Sequence, residues 1–134
     1  MDRAELAVEK YRSGYNCAQA VACVFADVLG VDESLLYRAA EGFGGGMGTG
    51  RGVCGAVSGA AIVAGMINSD GNIEQAGATK AATTRMSGQV QREFVKQTGA
   101  LICGEIKGSQ EPTSCPDCIR IAVRELEKII NVVA

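Results

Sequence analysis

Six cysteines and no histidine define the chemistry open to this 134-residue chain. Without histidine it has no histidine-based catalytic triad, no histidine-ligated zinc and no axial histidine for haem. What remains is thiol chemistry. Cys115-Pro116-Asp117-Cys118 is a C-x-x-C at the predicted start of a helix. Pro116 suits the first helical position, where a missing N–H costs nothing. That register puts Cys115 at the N-cap, its sulfur facing the N–H of Cys118, an arrangement that stabilises a thiolate. No βαβ pattern surrounds the motif, so it is not thioredoxin-like. A second C-x-x-C, needed for the four-cysteine zinc signature, is absent.

The second reactive candidate is Cys54. Seven of the eleven residues from Gly42 to Gly52 are glycine. Such density costs folding entropy, and its usual purposes are positive φ or close approach of the backbone to another group. From Val53 to Ile67 the only residue neither apolar nor glycine is Ser58. This run is too short to span a bilayer and predicts a buried helix. Gly55 and Gly59 lie four apart, as do Ala56, Ala60 and Ala64, giving faces that let helices approach closely. Cys54 then falls in the first turn of that helix, where free N–H groups favour an anion such as a thiolate. The plain alternative is a buried cysteine in a glycine hinge. The loop could also cradle an anionic group, with Gly44, Gly45, Gly46, Gly48 and Gly55 as the cofactor-facing positions. It lacks the Gly-Lys-Ser/Thr ending of a nucleotide loop and follows no strand.

The elements that must position these residues read as helices throughout. Asp2 to Arg12 forms a short amphipathic helix, and Asn16 caps a second from Cys17 to about Leu29. In that helix Cys17, Val21, Val24 and Val28 share a face. Cys23 points elsewhere and reads as packing. Gly30 is a C-cap candidate. Asp32 opens a third helix to about Phe43. Ile73 to Thr98 is a long helix or a broken pair, interrupted at Gly77 or Gly88 and ended by Gly99. Ala100 to Ile106 is a helical turn or an extended piece around Cys103, followed by a polar loop from Lys107 to Ser114. The last helix runs from Cys115 to near Val133, with Ile119, Ala122, Val123, Leu126, Ile130 and Val133 as its apolar stripe. The expected fold is all-α: a compact bundle of five to six helices around the buried small-residue helix, in a single domain spanning 1–134. Its small-residue faces could also serve a homodimer.

Composition removes further classes. A net charge of −2 argues against nucleic acid or an anionic membrane as partner. The N-terminal MDRAELAVEK has early charges and no apolar signal region, so a cytoplasmic setting without membrane insertion is expected. Six cysteines in such a chain point to redox or metal chemistry more than to structural disulfides.

Asn16-Cys17-Ala18-Gln19-Ala20-Val21, the glycine loop GFGGGMG at 42–48, Cys54-Gly55-Ala56-x-x-Gly59, and then Cys103 and Cys115 together resemble the C_GCAxxG_C_C family. The similarity runs from about Tyr15 into the last helix. By this resemblance the family cysteines fall on Cys17, Cys54, Cys103 and Cys115, and Cys118 is an extra cysteine or an alternative last position. The resemblance implies a small helical protein with thiol redox or metal chemistry. Two functions follow. In one, Cys54 exchanges disulfides with Cys115, Cys118 or Cys17, as an oxidoreductase or redox carrier with a redox partner of unspecified identity and no cofactor. In the other, Cys17, Cys54, Cys103 and Cys115 hold zinc or an iron–sulfur cluster. A structural helical protein with merely buried cysteines is the third reading. The resemblance also implies the cluster reading, since related domains occur in a haem- and iron–sulfur-containing cytochrome type, but this chain has no C-x-x-C-H motif, so the haem does not carry over.

Overall fold

Asp2 starts the first helix, its carboxylate accepting from the Glu5 N–H at 2.9 Å. In the computed structural model, which describes residues 1–131, helix α1 spans Arg3–Arg12 and buries Ala4, Ala7 and Val8. Helix α2 spans Cys17–Cys23. Asn16 caps it in a full capping box: its side chain accepts from the Gln19 N–H, and the Gln19 side chain accepts from the Asn16 N–H.

The expected helix from Cys17 to Leu29 is broken. Helix α3, Ala26–Leu29, is a separate short piece closed by Gly30 at φ 66°. The cause lies upstream in the chain. Arg3 donates to the Val24 carbonyl, which in an unbroken helix would accept from Val28. The same guanidinium pairs with Asp27 at 2.8 Å and stacks on Phe25 at 5.0 Å. The break turns the Phe25 ring into the core and leaves Val28 40% exposed, off the buried stripe.

Helix α4, Glu33–Ala40, follows Asp32 and buries Leu36 and Ala40. Glu41–Phe43 is a 3-10 turn, and Gly46–Gly50 a tight turn containing left-handed residues. Helix α5, Gly55–Asn68, is central, packing on α2, α6 and α8 and touching α3 and α4. Its glycines explain how closely α2 comes. A Cβ on Gly59 would stand 2.6 Å from the Ala18 carbonyl oxygen, and one on Gly55 3.2 Å from the Ala18 nitrogen. This face is therefore occupied within the chain.

A 3-10 turn, Ile73–Gln75, precedes helix α6, Lys80–Thr98, which buries Val90, Phe94 and Thr98. Gly77 has φ 87° and stands between these two elements, and Gly99 at φ 88° ends α6, whereas Gly88 does not interrupt it. Ala100 to Ile106 is both things the sequence allows. Ile102 pairs with Val53 in an isolated antiparallel bridge, and helix α7, Cys103–Lys107, begins next.

Helix α8, Cys115–Ile130, is strongly amphipathic and buries Cys118, Ile119, Ala122, Val123 and Leu126. Its cap is Ser114, not Cys115. The Ser114 hydroxyl accepts from the Asp117 N–H at 3.2 Å, so Cys115 is the first helical residue and Pro116 the second. Oxygen is the stronger cap acceptor, and Ser114 is placed to supply it. The helix ends at Ile130, with Asn131 at φ 58° as its cap; Val133 lies outside the described residues. Among the described residues the fold is all-α, with eight α-helical segments rather than five or six, two of them, α3 and α7, single short turns or little more. None is long and apolar enough to cross a membrane.

Candidate functional site

Four of the six cysteines meet at one cavity of about 240 Å³, lined by Cys17, Cys54, Cys103 and Cys115 with Tyr11, Asn16, Gly45, Gly46, Gly55, Ile106 and Lys107. Each cysteine stands at a helix start. Cys17 and Cys103 open α2 and α7, Cys115 opens α8, and Cys54 caps α5. In the sequence these positions are up to 98 residues apart, and three local devices bring them together.

The first is the bridge. Cys54 donates its N–H to the Leu101 carbonyl at 2.8 Å, and Cys103 donates to the Gly52 carbonyl at 2.9 Å. Val53 and Ile102 are the paired residues, so Cys54 and Cys103 emerge together on the opposite face of this two-strand contact. The second is the glycine loop. Gly45, Gly46, Met47 and Gly48 all have φ between 62° and 82°. This left-handed run folds the loop back onto the cysteines. A Cβ on Gly46 would stand 2.6 Å from the Cys103 Cβ, and one on Gly44 2.5 Å from the Asn16 side chain. The third is Asn16. Beyond capping α2, its amide donates to the Glu41 carbonyl at 2.9 Å, tying the loop to the helix that carries Cys17.

Of the five glycines expected to face a cofactor, Gly45, Gly46 and Gly55 line the cavity. Gly44 packs against Asn16, and Gly48 is not among the lining residues.

All six cysteines are free thiols. Four of them affect one another's ionisation two by two, each pair including one cysteine of α8. Cys17 and Cys115 line the cavity together, and the Cys17 thiol does most to hold the Cys115 thiol down to about 5, against its burial. The Lys107 ammonium and the Tyr11 hydroxyl add to it. Cys17 is correspondingly raised by Cys115 and by burial, and Tyr11 is raised to about 12 by the same two causes. Lys107 is fixed by a 2.9 Å hydrogen bond to the Thr113 carbonyl. Burial alone would lower its pKa; the Cys115 thiolate reverses this and holds the ammonium charged.

The second pair is deeper. The Cys118 thiol is the largest influence lowering Cys54 to about 7 despite burial. The N–H groups of Ala56 and Val57 at the start of α5 also favour the Cys54 thiolate. Cys118 is raised by Cys54 and by burial, and its sulfur donates to the Thr113 carbonyl at 4.0 Å. Cys54 is 6% exposed and Cys118 1%. Cys103 belongs to neither pair; burial and then the neighbouring Cys54 push its thiol up. Cys23 lies apart, with its sulfur toward the Glu33 carbonyl at 3.7 Å, as a packing residue would.

The cysteines surround the cavity without closing on one point. Among the described residues, no three thiol or carboxylate groups come together as ligands for a metal ion.

Tyr11 and Lys107 are absent from the sequence-based candidates. Lys107 carries a usable signal, since it follows Cys103 by four residues and so shares its helical face. Tyr11 follows Ala7 by four on the buried face of α1, which predicts burial but not a thiol partner. Cys118 is a candidate, but its pairing with Cys54 depends on how α5 and α8 pack.

No curated protein and no solved structure is significantly similar to the chain. Residues 15–129 match the profile of the family described as "Putative redox-active protein (C_GCAxxG_C_C)", and the chain belongs to that family.

Proposed function

We propose that this chain is a thiol-based redox protein that exchanges disulfides through Cys115 and Cys17. The observation that carries this reading is the cavity that Cys17 and Cys115 line together with Tyr11 and Lys107. A thiolate is the attacking form, and Cys17, Lys107 and Tyr11 lower Cys115 to about 5, which makes it a thiolate near neutral pH. We assign the first attack to Cys115 rather than Cys54. Both sulfurs are lowered, but Cys54 is almost fully buried and Cys115 only partly so.

In the reaction, the Cys115 thiolate attacks one sulfur of a partner disulfide. A mixed disulfide forms, and the partner's other sulfur leaves as a thiolate. Cys17 then loses its proton to that leaving group and attacks the Cys115 sulfur. The Cys17–Cys115 disulfide forms and the second partner thiolate departs. Two cysteine thiols are oxidised and one partner disulfide is reduced to two thiols. Run backwards, the same steps oxidise a partner dithiol.

Replacing Cys17 by serine tests the order of attack. Mixed with oxidised glutathione, the Cys17→Ser protein is expected to trap glutathione on Cys115, visible by mass spectrometry. Cys115→Ser is expected to trap none on Cys17. Glutathione held on Cys54 instead, with Cys115 free, would contradict the assignment.

A further inference from the structure

The walls of the cysteine cavity limit what can reach Cys115. Its volume is about 240 Å³, below the roughly 300–1,000 Å³ of pockets that hold drug-sized ligands. Bare backbone forms much of the wall. A Cβ on Gly46 would stand 2.6 Å from the Cys103 Cβ, and one on Gly55 3.2 Å from the Cys17 Cβ. The loop and the start of α5 thus lie against the cysteines with no side chain to swing aside. Ile106, 1% exposed, closes the cavity as an apolar wall. Its charge is one-sided. Among the described residues that line it, Lys107 is the only cation and none is a carboxylate. Asn16 is committed elsewhere, accepting from the Gln19 N–H and donating to the Glu41 carbonyl. The Lys107 ammonium gives one of its donors to the Thr113 carbonyl at 2.9 Å, which fixes the stem and leaves other N–H bonds for a ligand. Lys107 is itself exposed, so it stands at the cavity's edge.

Building on the thiol-exchange reading above, we propose that the cavity takes a small disulfide bearing a carboxylate, rather than the disulfide of a folded protein, and that Lys107 reads the carboxylate. A folded protein's disulfide arrives with backbone on both sides, too wide for a cavity of this volume walled by glycine backbone.

The partner is then R–S–S–R, with the carboxylate on R. The Cys115 thiolate attacks one sulfur; a Cys115–S–R bond forms, the S–S bond breaks and R–S⁻ leaves. Cys17 gives its proton to that R–S⁻ and attacks the Cys115 sulfur; the Cys17–Cys115 disulfide forms and the second R–S⁻ departs. Two cysteines are oxidised and one small disulfide is reduced. In the first step negative charge moves from Cys115 to the leaving sulfur. The ammonium beside Cys115 then has the substrate carboxylate as its anionic partner in the cavity. Its attraction to the substrate grows as the S–S bond breaks, so the carboxylate raises the rate and not only the binding.

The experiment uses the full, reduced, metal-free chain under anaerobic conditions at low ionic strength. The probes are anionic dithiodipropionate, neutral hydroxyethyl disulfide, cationic cystamine and the oxidised disulfide-donor protein DsbA. Samples are acid-quenched and alkylated, and an aspartate-directed protease separates Cys115 from Cys118 at Asp117, so that loss of free Cys115 is read alone. Each rate is divided by that of the same disulfide with free mercaptoethanol thiolate, which removes differences between leaving groups. Dithiodipropionate is expected to react about tenfold or more faster than cystamine, with the neutral disulfide between them, and this ratio should fall toward one in ~1 M salt. DsbA should react about tenfold or more slowly than dithiodipropionate, because it cannot enter. Lys107→Met should abolish the anion preference and Lys107→Arg keep it. These are ratios within one variant, so any change in the Cys115 thiolate cancels. Circular dichroism checks that the variants fold, and the salt dependence of the wild type needs neither. Equal normalised rates for the small disulfides in the wild type, or a DsbA rate that matches that of dithiodipropionate, overturn the proposal but leave the exchange standing. So does an anion preference that persists in folded Lys107→Met. No reaction of any probe at Cys115 overturns both.

Discussion

Lys107 gives the account a sharp electrostatic test. Lys107 lines the same cavity as Cys115, and its ammonium lowers that thiol, after Cys17 and alongside Tyr11. Lys107→Met keeps much of the stem's packing and removes the charge. A hydrogen bond to a charged group contributes about 1.5–3 kcal/mol, and one pKa unit corresponds to about 1.4 kcal/mol. Cys115 should therefore rise from about 5 by roughly 1–2 units. The assay is the rate of Cys115 alkylation by iodoacetamide, a neutral reagent, against pH. Raising a thiol pKa cuts the thiolate fraction at low pH but increases the reactivity of each thiolate, with a Brønsted coefficient of about 0.4–0.5. The variant should thus react roughly three- to tenfold more slowly at the lowest pH and roughly three- to tenfold faster above pH ~8, the two curves crossing near pH ~6. Lys107→Arg should restore the wild-type profile. If Lys107 served only to hold the Thr113 carbonyl, the variant would lose stability without shifting the midpoint. A rate profile that keeps its midpoint in a folded Lys107→Met protein refutes the reasoning.

Other perturbations follow from the same contacts. Gly59→Ala should destabilise the protein by about 1–3 kcal/mol in urea unfolding, because overpacking against the Ala18 carbonyl outweighs the helix propensity gained. Cys23→Ala should leave the exchange rate unchanged. In the wild type Cys23, raised to about 11 chiefly by burial, should alkylate only on unfolding. Stability of the reduced protein should depend on pH through Cys115. Its folded pKa lies below the unfolded value of about 8.5, so its contribution is complete above that pH and lost as pH falls through about 5. The stability gap between wild type and Cys115→Ser, measured by denaturant titration in reductant, should widen from pH 5 to 8.5. The gain should be roughly 1–2 kcal/mol, far below full linkage because water screens a partly exposed thiolate.

The parts of this structure legible in the sequence are those set by short-range pattern. The small-residue run predicts α5 at the centre, and the glycine loop before it predicts close backbone contact, which Gly46 makes with Cys103. Asn16, Gly30 and Gly99 announce their caps because side-chain acceptors and left-handed φ are local requirements. The break after Cys23 is not legible, since it depends on Arg3 reaching the Val24 carbonyl from 21 residues upstream. The one-residue shift at α8 was within reach. Ser114 followed by Asp117 is a better cap signal than Cys115, whose sulfur is a weak acceptor. The convergence of Cys17, Cys54, Cys103 and Cys115 enters through the family resemblance. Their division into pairs, with Tyr11 and Lys107 around one sulfur, arises only from the packing of α1, α2, α5 and α7 around the start of α8.

The central claim is that these cysteines work as redox thiols. Anaerobic purification followed by iron and zinc analysis, and then equilibration of the native protein in glutathione buffers of stepped potential, tests it most directly. The account predicts no stoichiometric metal and a reversible Cys17–Cys115 disulfide that forms and disappears with the buffer. About one zinc, or two or four irons, per chain held by Cys17, Cys54, Cys103 and Cys115 would contradict it. So would a Cys115 that stays unreactive until the protein unfolds.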